Sequence, residues 1–369
     1  MGERLKKSIF NTSLLTLGVF YSIILINYIY CLGVQSYVKY VFHLLNISSC
    51  VFILTHLINN RDTSYFLKRL RLILRIILYY SICNFLFYSL VRNNLFEISY
   101  PYGEDRFVKT FNYIFFYDPE HPLNILGLDF IRNQGWFWEP GINQIYLNIL
   151  LYLEGFVFNR NRWIILLVVF AIFTTYSTTG IIIMILLLLL IFKSSIKQNP
   201  ILIFLAISVA IPFYFIAKSN FEEKLETNSF QKRYFDLVQT ISIIKDYPLT
   251  GIGLDDTFFS EFRSSHFINN NLVKSFEEST SIELRAKSTD KGSTNSITFL
   301  ILAMGIPISS FLLYCMFKQT LFPNRKRIFM MIVFISVFTE PLLLRPFFLI
   351  LIISGMMSFF NKFTKQNNL

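Results

Sequence analysis

Charge is scarce in this chain. Lys, Arg, Asp and Glu make up 15% of the 369 residues, against ~25% in soluble globular proteins. That deficit excludes an ordinary soluble enzyme of this length. Cysteine is scarce as well. Cys31, Cys50, Cys83 and Cys315 are far apart, form no CxxC pair and lie in or beside apolar runs, which argues against a disulfide framework or a cysteine metal site. Histidine is almost absent. His43 and His56 are thirteen residues apart and so fall on different faces of one helix, and His121 and His266 stand in polar loops without a partner at metal spacing. No Walker loop, GxSxG or HExxH occurs, and "GIG" at 251–253 lacks the strand–turn–helix context of a nucleotide site. There is no fixed-period repeat, and no alternation over ~10-residue strands of the kind that builds a membrane barrel. Neither a metal nor a cofactor is expected.

What is present is apolar. Hydrophobic residues reach 54%, with 42 Phe, and the mean hydropathy is +0.50. They come in blocks of about 20 between charged punctuation, the length needed to cross ~30 Å of hydrocarbon as a helix. About ten spans are predicted, at 9–32, 36–58, 70–91, 137–158, 162–177, 179–193, 200–217, 294–317, 327–343 and 345–361. The fifth and sixth are short and are joined through "STTG" at 177–180. Arg4, Lys6 and Lys7 precede the first span without a small-residue cleavage site, so that span is expected to be retained. The fold class is therefore all-α and polytopic, a single integral membrane domain over 1–369.

Charge location orients it. With the N-terminus inside, the inner segments hold Arg61, Lys68, Arg69, Arg71, Arg160, Arg162, Lys193, Lys197, Lys318, Arg325, Lys326 and Arg327, whereas the short outer turns hold only Lys39 and Arg345. This is a strong positive-inside bias and places both termini in the cytoplasm. It also accounts for the net charge of +11 without nucleic acid as a partner. Two long loops, 92–136 and 218–293, fall outside and carry 18 of the 23 acidic residues. Both are expected to contain short amphipathic helices. In 233–253, Leu237, Ile241 and Ile244 share a helical face, which predicts a helix lying on the outer membrane surface. Pro248 ends it, and Gly251 and Gly253 permit an unusual turn. The polar stretch 269–293 reads as mobile. No large cytoplasmic domain exists to hold a nucleotide sugar, so any substrate arrives already activated, at the outer face.

"WFWEPG" at 136–141 poses the sharpest question, a carboxylate at the mouth of a span. Proline suits the first helical position, so Glu139 falls at the N-cap, where the helix dipole favours a negative charge. Trp136 and Trp138 set this end at headgroup level. Glu139 is then either a charged cap or a positioned base for a hydroxyl. Three outer arginines, Arg132, Arg233 and Arg345, have the forked geometry that grips phosphate. Singly each suits an ordinary phospholipid headgroup, and as a ring they would hold a lipid diphosphate. Glu154, halfway down span four, is a buried charge that needs an arginine or the inner boundary.

"WEPG" entering a span, then "YSTTG", then an arginine followed by "DYPLTGIGL", then "STNSITFLILAMGI" opening another span, resemble the O-antigen polymerase and ligase superfamily, most closely its Wzy-type polymerases. The resemblance covers residues 100–355. It implies a C-type glycosyltransferase-like membrane fold, with no metal, that moves a growing glycan from undecaprenyl diphosphate onto the terminal sugar of another lipid-linked repeat unit, at the periplasmic face of the bacterial inner membrane. By motif, Glu139 and Arg233 are the implied catalytic residues. Arg132, Arg345, Tyr247, Gly251, Gly253, Asn295, Trp136 and Trp138 are the implied substrate-binding ones. The implied partners are undecaprenyl-diphosphate-linked glycans, membrane lipids and a polysaccharide chain-length regulator. Ligases of the superfamily, which transfer to lipid A–core, carry a histidine before the asparagine that Thr294 precedes here. A ligase and, from a different class, a lipid-linked oligosaccharide flippase are the competing readings.

Overall fold

The structure is a computed structural model that describes residues 6–60, 63–99, 107–118, 123–125, 128–137, 139–198, 228–265, 274, 278 and 295–366. It is 77% helix. The elements in chain order are α1 (Lys7–Tyr30), α2 (Tyr37–Asn60), α3 (Thr63–Val91), β1 (Phe96–Ser99), β2 (Phe107–Phe111), β3 (Phe115–Tyr117), β4 (Leu123–Ile125), β5 (Leu128–Phe130), α4 (Pro140–Tyr152), α5 (Arg162–Thr174), α6 (Thr178–Gln198), α7 (Asn228–Asp246), α8 (Asp256–Ser265), α9 (Ser296–Lys318), α10 (Lys326–Thr339) and α11 (Pro346–Gln366). Among the described residues four helices, α1, α2, α3 and α9, are long and apolar enough to cross a bilayer, and the apolar parts of α5, α6 and α11 are shorter. The expected spans at 9–32, 36–58, 70–91, 294–317, 327–343 and 345–361 each meet a helix, and the one at 200–217 lies outside the described residues, as does most of 269–293. The chain is a membrane protein.

Two compact units divide it: residues 1–66, 222–323 and 337–369 form one, and 67–221 with 324–336 the other. In the first, α11 packs along α9, α1 and α2. Leu54, Leu300 and Phe348 are fully buried there, while Leu14, Leu25 and Phe52 on the opposite faces stay exposed, as lipid-facing side chains do.

α9 is broken inside the unit. Gly305 has φ 76° and ψ 166°, and Pro307 follows. Proline has no N–H to give the Ala303 carbonyl, so a helix interior loses a hydrogen bond there. The segment after α7 supplies the missing partners. Gly253 N–H donates to Ala303 O (3.0 Å), Ile252 N–H to Leu302 O (2.9 Å), and Ile306 N–H to Pro248 O (2.8 Å). Asn27 Nδ2 adds a second donor to Ala303 O at 2.8 Å. Backbone in an apolar surround must be satisfied this way. Gly251 and Gly253 sit at φ 69° and 104°, the turn that "GIG" predicts. A Cβ on Gly251 would run into the Leu302 carbonyl, which is why the loop lies so close. Beyond it, Lys39 Nζ pairs with Asp255 at 2.9 Å. Burial alone would raise the pKa of Asp255. Lys39 and the N–H groups of Ser36 and Thr257 outweigh burial and hold the carboxyl below its ordinary value.

The expectation for α7 needs correction. Its buried residues are Asp236, Val238, Gln239, Thr240 and Ile243, whereas Leu237, Ile241 and Ile244 are only half-buried. The helix packs on α9 through a partly polar face. The apolar spacing misses this polar face because it does not register a helix packed on protein through Asp236, Gln239 and Thr240.

In the second unit α4 is the centre, packed on α5 and α6. Ile145, Leu147, Ile149, Leu150, Leu151 and Tyr152 are all fully buried. α4 ends in a π-helical turn, Leu153–Val157, that carries Glu154. The carboxylate is fully buried and accepts from Arg71 Nε and Nη2 (2.8 and 2.7 Å) and from Arg75 Nε (2.8 Å). Arg71 and Arg75 are one turn apart on α3, so one carboxylate meets both. Glu154 therefore has the arginine partner that its position requires.

The loop at 92–136 is the second correction. The described part holds strands, not amphipathic helices: β1-β2-β3 form an antiparallel sheet and β4-β5 a hairpin. Phe and Val suit a pleated surface, and Glu97 lies directly opposite Lys109 with 3.3 Å between charges. The β2–β3 turn has positive φ at Asn112 (49°) and Tyr113 (56°) and is closed by Ile114 N–H to Phe111 O, the twist-matched hairpin geometry. The predicted all-α class thus holds for the bundle and fails for this loop.

Candidate functional site

Glu139 occupies the N-cap of α4 with extended backbone (φ −139°, ψ 141°), and Pro140 takes the first helical position. Its carbonyl accepts from the N–H groups of Ile142 (3.1 Å) and Asn143 (3.4 Å), but its side chain makes no capping hydrogen bond. The residue is half-buried.

The segment before it is tied down by amides. Asn133 is buried, and its Nδ2 reaches Ser81 O (2.9 Å), Ser81 Oγ (3.1 Å) and Thr174 Oγ1 (2.9 Å). Its Oδ1 accepts from Gly135 N–H and Asn84 Nδ2. Asn143 Nδ2, in the first turn of α4, donates to Ser81 Oγ (2.9 Å) and Asn133 O (3.4 Å). Arg132 Nε donates to the Thr175 carbonyl at 3.3 Å, in the turn between α5 and α6. Trp136 is exposed and stacks on Tyr80 with ring centroids 4.4 Å apart. Trp138 lies outside the described residues.

These amides continue down α4. Asn148 Nδ2 bonds Gln144 O, Gln144 Oε1 and Gly180 O at 2.9–3.1 Å. Among the described residues, Asn84 Oδ1, Gln134 Nε2, Asn143 Oδ1, Gln144 Nε2 and Asn148 Oδ1 are buried without a hydrogen-bond partner. Each such atom costs ~1–3 kcal/mol. Sequence reading missed Asn84, Asn133, Asn143, Gln144 and Asn148. The signal was there: in "INQIYLN" three amides interrupt an apolar span.

The remaining expected residues belong to the other unit. Asn295 caps α9, its Oδ1 accepting from Ile297 N–H (3.0 Å) and Thr298 N–H (3.2 Å). Arg345 is exposed where α11 begins, and its carbonyl accepts from Phe348 and Leu349 N–H. Ser296 Oγ accepts from Leu342 N–H at 2.7 Å and fastens the turn before Arg345 to the start of α9. Tyr247 is half-buried and meets Phe262 edge-on at 6.0 Å. Gly251 and Gly253 are buried against α9. Arg233 is on α7, and its side chain is outside the described residues. Arg132 and Glu139 thus lie on one unit, and Arg345, Asn295 and the Arg233 backbone on the other. Among the described residues no three His, Cys, Asp or Glu side chains gather as metal ligands.

No curated protein and no solved structure matches the chain. A family model does, over residues 163–282, which run from α5 through α8. Its description is O-antigen ligase, and the match covers about a third of the chain, a likeness to that family over this stretch.

Proposed function

We propose that the protein polymerises lipid-linked oligosaccharide repeat units at the outer face of the bacterial inner membrane. In this reading the mouth of α4 faces the periplasm. A terminal sugar hydroxyl of one lipid-linked unit attacks the anomeric carbon of the glycan carried by another. The carbon–oxygen bond to undecaprenyl diphosphate breaks, the hydroxyl proton passes to Glu139, and the diphosphate leaves with the electron pair. Charge that builds on the diphosphate is met by Arg132, on the same unit as Glu139, since preorganised donors act most strongly where charge develops. No metal ion takes part in this scheme.

The observation that carries it is the position of Glu139 at the mouth of α4, ahead of Pro140 and on the same unit as Arg132. The test gives purified protein one defined undecaprenyl-diphosphate-linked repeat unit and asks for ladders of product. Ladders are expected from the native chain, with and without a chelator, and none from Glu139→Gln protein that still reaches the membrane. A normal ladder from Glu139→Gln overturns the assignment. The family model's own description favours a ligase as the second reading. Transfer to lipid A–core, with none to a second lipid-linked unit, would establish it.

A further inference from the structure

The hairpin of β2 and β3 does not stand off the bundle. It runs back along α3, tip first, within the second unit. At the tip, Tyr80 of α3 donates its hydroxyl to the Ile114 carbonyl. At the other end of β3, Tyr117 meets Tyr88, higher on α3, with ring centroids 4.9 Å apart. Between them Phe115 stacks on Phe87 and lies beside Tyr80, both at 5.7 Å. Tyr80 is eleven residues before Val91, where α3 ends. At 1.5 Å per residue the tip therefore lies about 16 Å back from the helix end.

The surface of α3 beyond that level is bare and apolar. Leu86, Phe87 and Leu90 are exposed, Leu90 at 73%, as side chains that face acyl chains are. That surface continues about 15 Å past Tyr80, so the hairpin tip falls below its upper edge. The tip is dressed to match. Tyr113 and Ile114 are 69% and 54% exposed and carry no charge. Asn112 beside them supplies the positive φ of the turn, 49°, which asparagine takes more easily than most residues. The sheet's ion pair, Glu97 with Lys109, lies four residues up β2 from Tyr113. That is about 13 Å, near the level at which α3 ends. Polarity thus falls from base to tip, as it falls from headgroups into a bilayer.

The backbone follows the same rule. β3 is an edge strand. An edge in water needs no protein partner, whereas an edge in hydrocarbon does. Two carbonyls of this edge are taken by side chains one turn apart on α3, Ile114 O by the Tyr80 hydroxyl and Phe116 O by Asn84 Nδ2 at 3.5 Å. The Tyr117 hydroxyl in turn donates to the Asn84 carbonyl at 2.9 Å.

We infer that the β2–β3 hairpin is inserted in the membrane, its tip, Tyr113 and Ile114, packed among the acyl chains of the leaflet that the C-terminal half of α3 crosses. The partner is the bulk lipid of the bilayer, whichever glycan the protein handles. Tyr80 also stacks on Trp136 at 4.4 Å, so one ring both seats the tip and steadies the segment that enters α4.

The test uses the full chain in phosphatidylcholine nanodiscs, with Cys31 and Cys83 replaced by serine and the buried Cys50 and Cys315 left in place. One added cysteine, Tyr113→Cys, Ile114→Cys or Lys109→Cys, carries the polarity-sensitive fluorophore NBD. Labels at positions 113 and 114 are expected to emit to the blue of the label at 109. Lipids spin-labelled within the acyl chain should quench them about threefold more than the label at 109. Soluble iodide should show the reverse order, again by about threefold. Iodide quenching at 113 and 114 as strong as at 109 would put the tip in water and overturn the insertion. Labels at 113 and 114 that neither quencher reaches would put the tip against protein and overturn it as well. If Tyr113→Cys fails to accumulate, Ile114→Cys decides by the same criteria.

Discussion

Removing the Glu154 carboxylate should unsettle the second unit more than any other single truncation in it. At 1.5 Å per residue, Glu154 lies about 21 Å along the helix from Pro140, deep in a span. It is fully buried, and both guanidiniums that hold it are mostly covered, with side-chain exposures of 24% and 28%. Glu154→Ala deletes every carboxylate contact at once and leaves Arg71 and Arg75 facing each other one turn apart. Breaking a buried ion pair costs about 3–5 kcal/mol. The partial exposure of the arginines lets them reach water or headgroups, so the lower end, about 3 kcal/mol, is expected. At about 2 °C per kcal/mol for a chain of this size, the melting temperature of detergent-solubilised protein should drop by about 6 °C. Replacing the whole cluster, with Arg71→Leu and Arg75→Leu added, should recover most of the loss, because the cost comes from stranded charge and not from the missing pair. A single mutant that melts within about 1 °C of the native chain, or a triple mutant that melts lower still, would refute the reasoning.

Three further outcomes follow from the other unit. Gly305→Ala forces a Cβ into the Leu249 carbonyl at φ 76°, ψ 166°, and should cost about 1–3 kcal/mol, read as a lower melting temperature that Pro307→Ala does not match. Asp255 has a folded pKa below its ordinary 3.8, so its stabilisation is complete above the unfolded value and lost as pH falls through the folded one. A melting curve followed from pH 6 to pH 3 should therefore fall in the native chain near the acid end and lose that component in Asp255→Asn. Asn295→Ala removes two capping bonds from α9 and should cost about 1 kcal/mol. Asn295→Ser, which still caps, should restore stability, and activity that stays lost in Asn295→Ser would assign the amide to substrate.

Much of this was legible without coordinates, and the reason is the solvent. Lipid demands long apolar helices with satisfied backbones, so α1, α2, α3 and α9 show as unbroken blocks, and Glu139 before Pro140 shows as a helix mouth. The two glycines of "GIG" announced their turn because only such residues take positive φ cheaply. What the turn is for, replacing the bonds that Gly305 and Pro307 remove from α9, needed the fold, since the partners are some fifty residues apart. The strands at 96–117 were hidden because loops are written in short, mixed segments whose pairing is non-local. The polar face of α7 was missed because amphipathic spacing does not register a helix packed on protein. The amide network of Asn84, Asn133 and Asn143 is likewise a tertiary fact. Composition shows that polar groups enter the apolar interior, and only packing decides which of them meet.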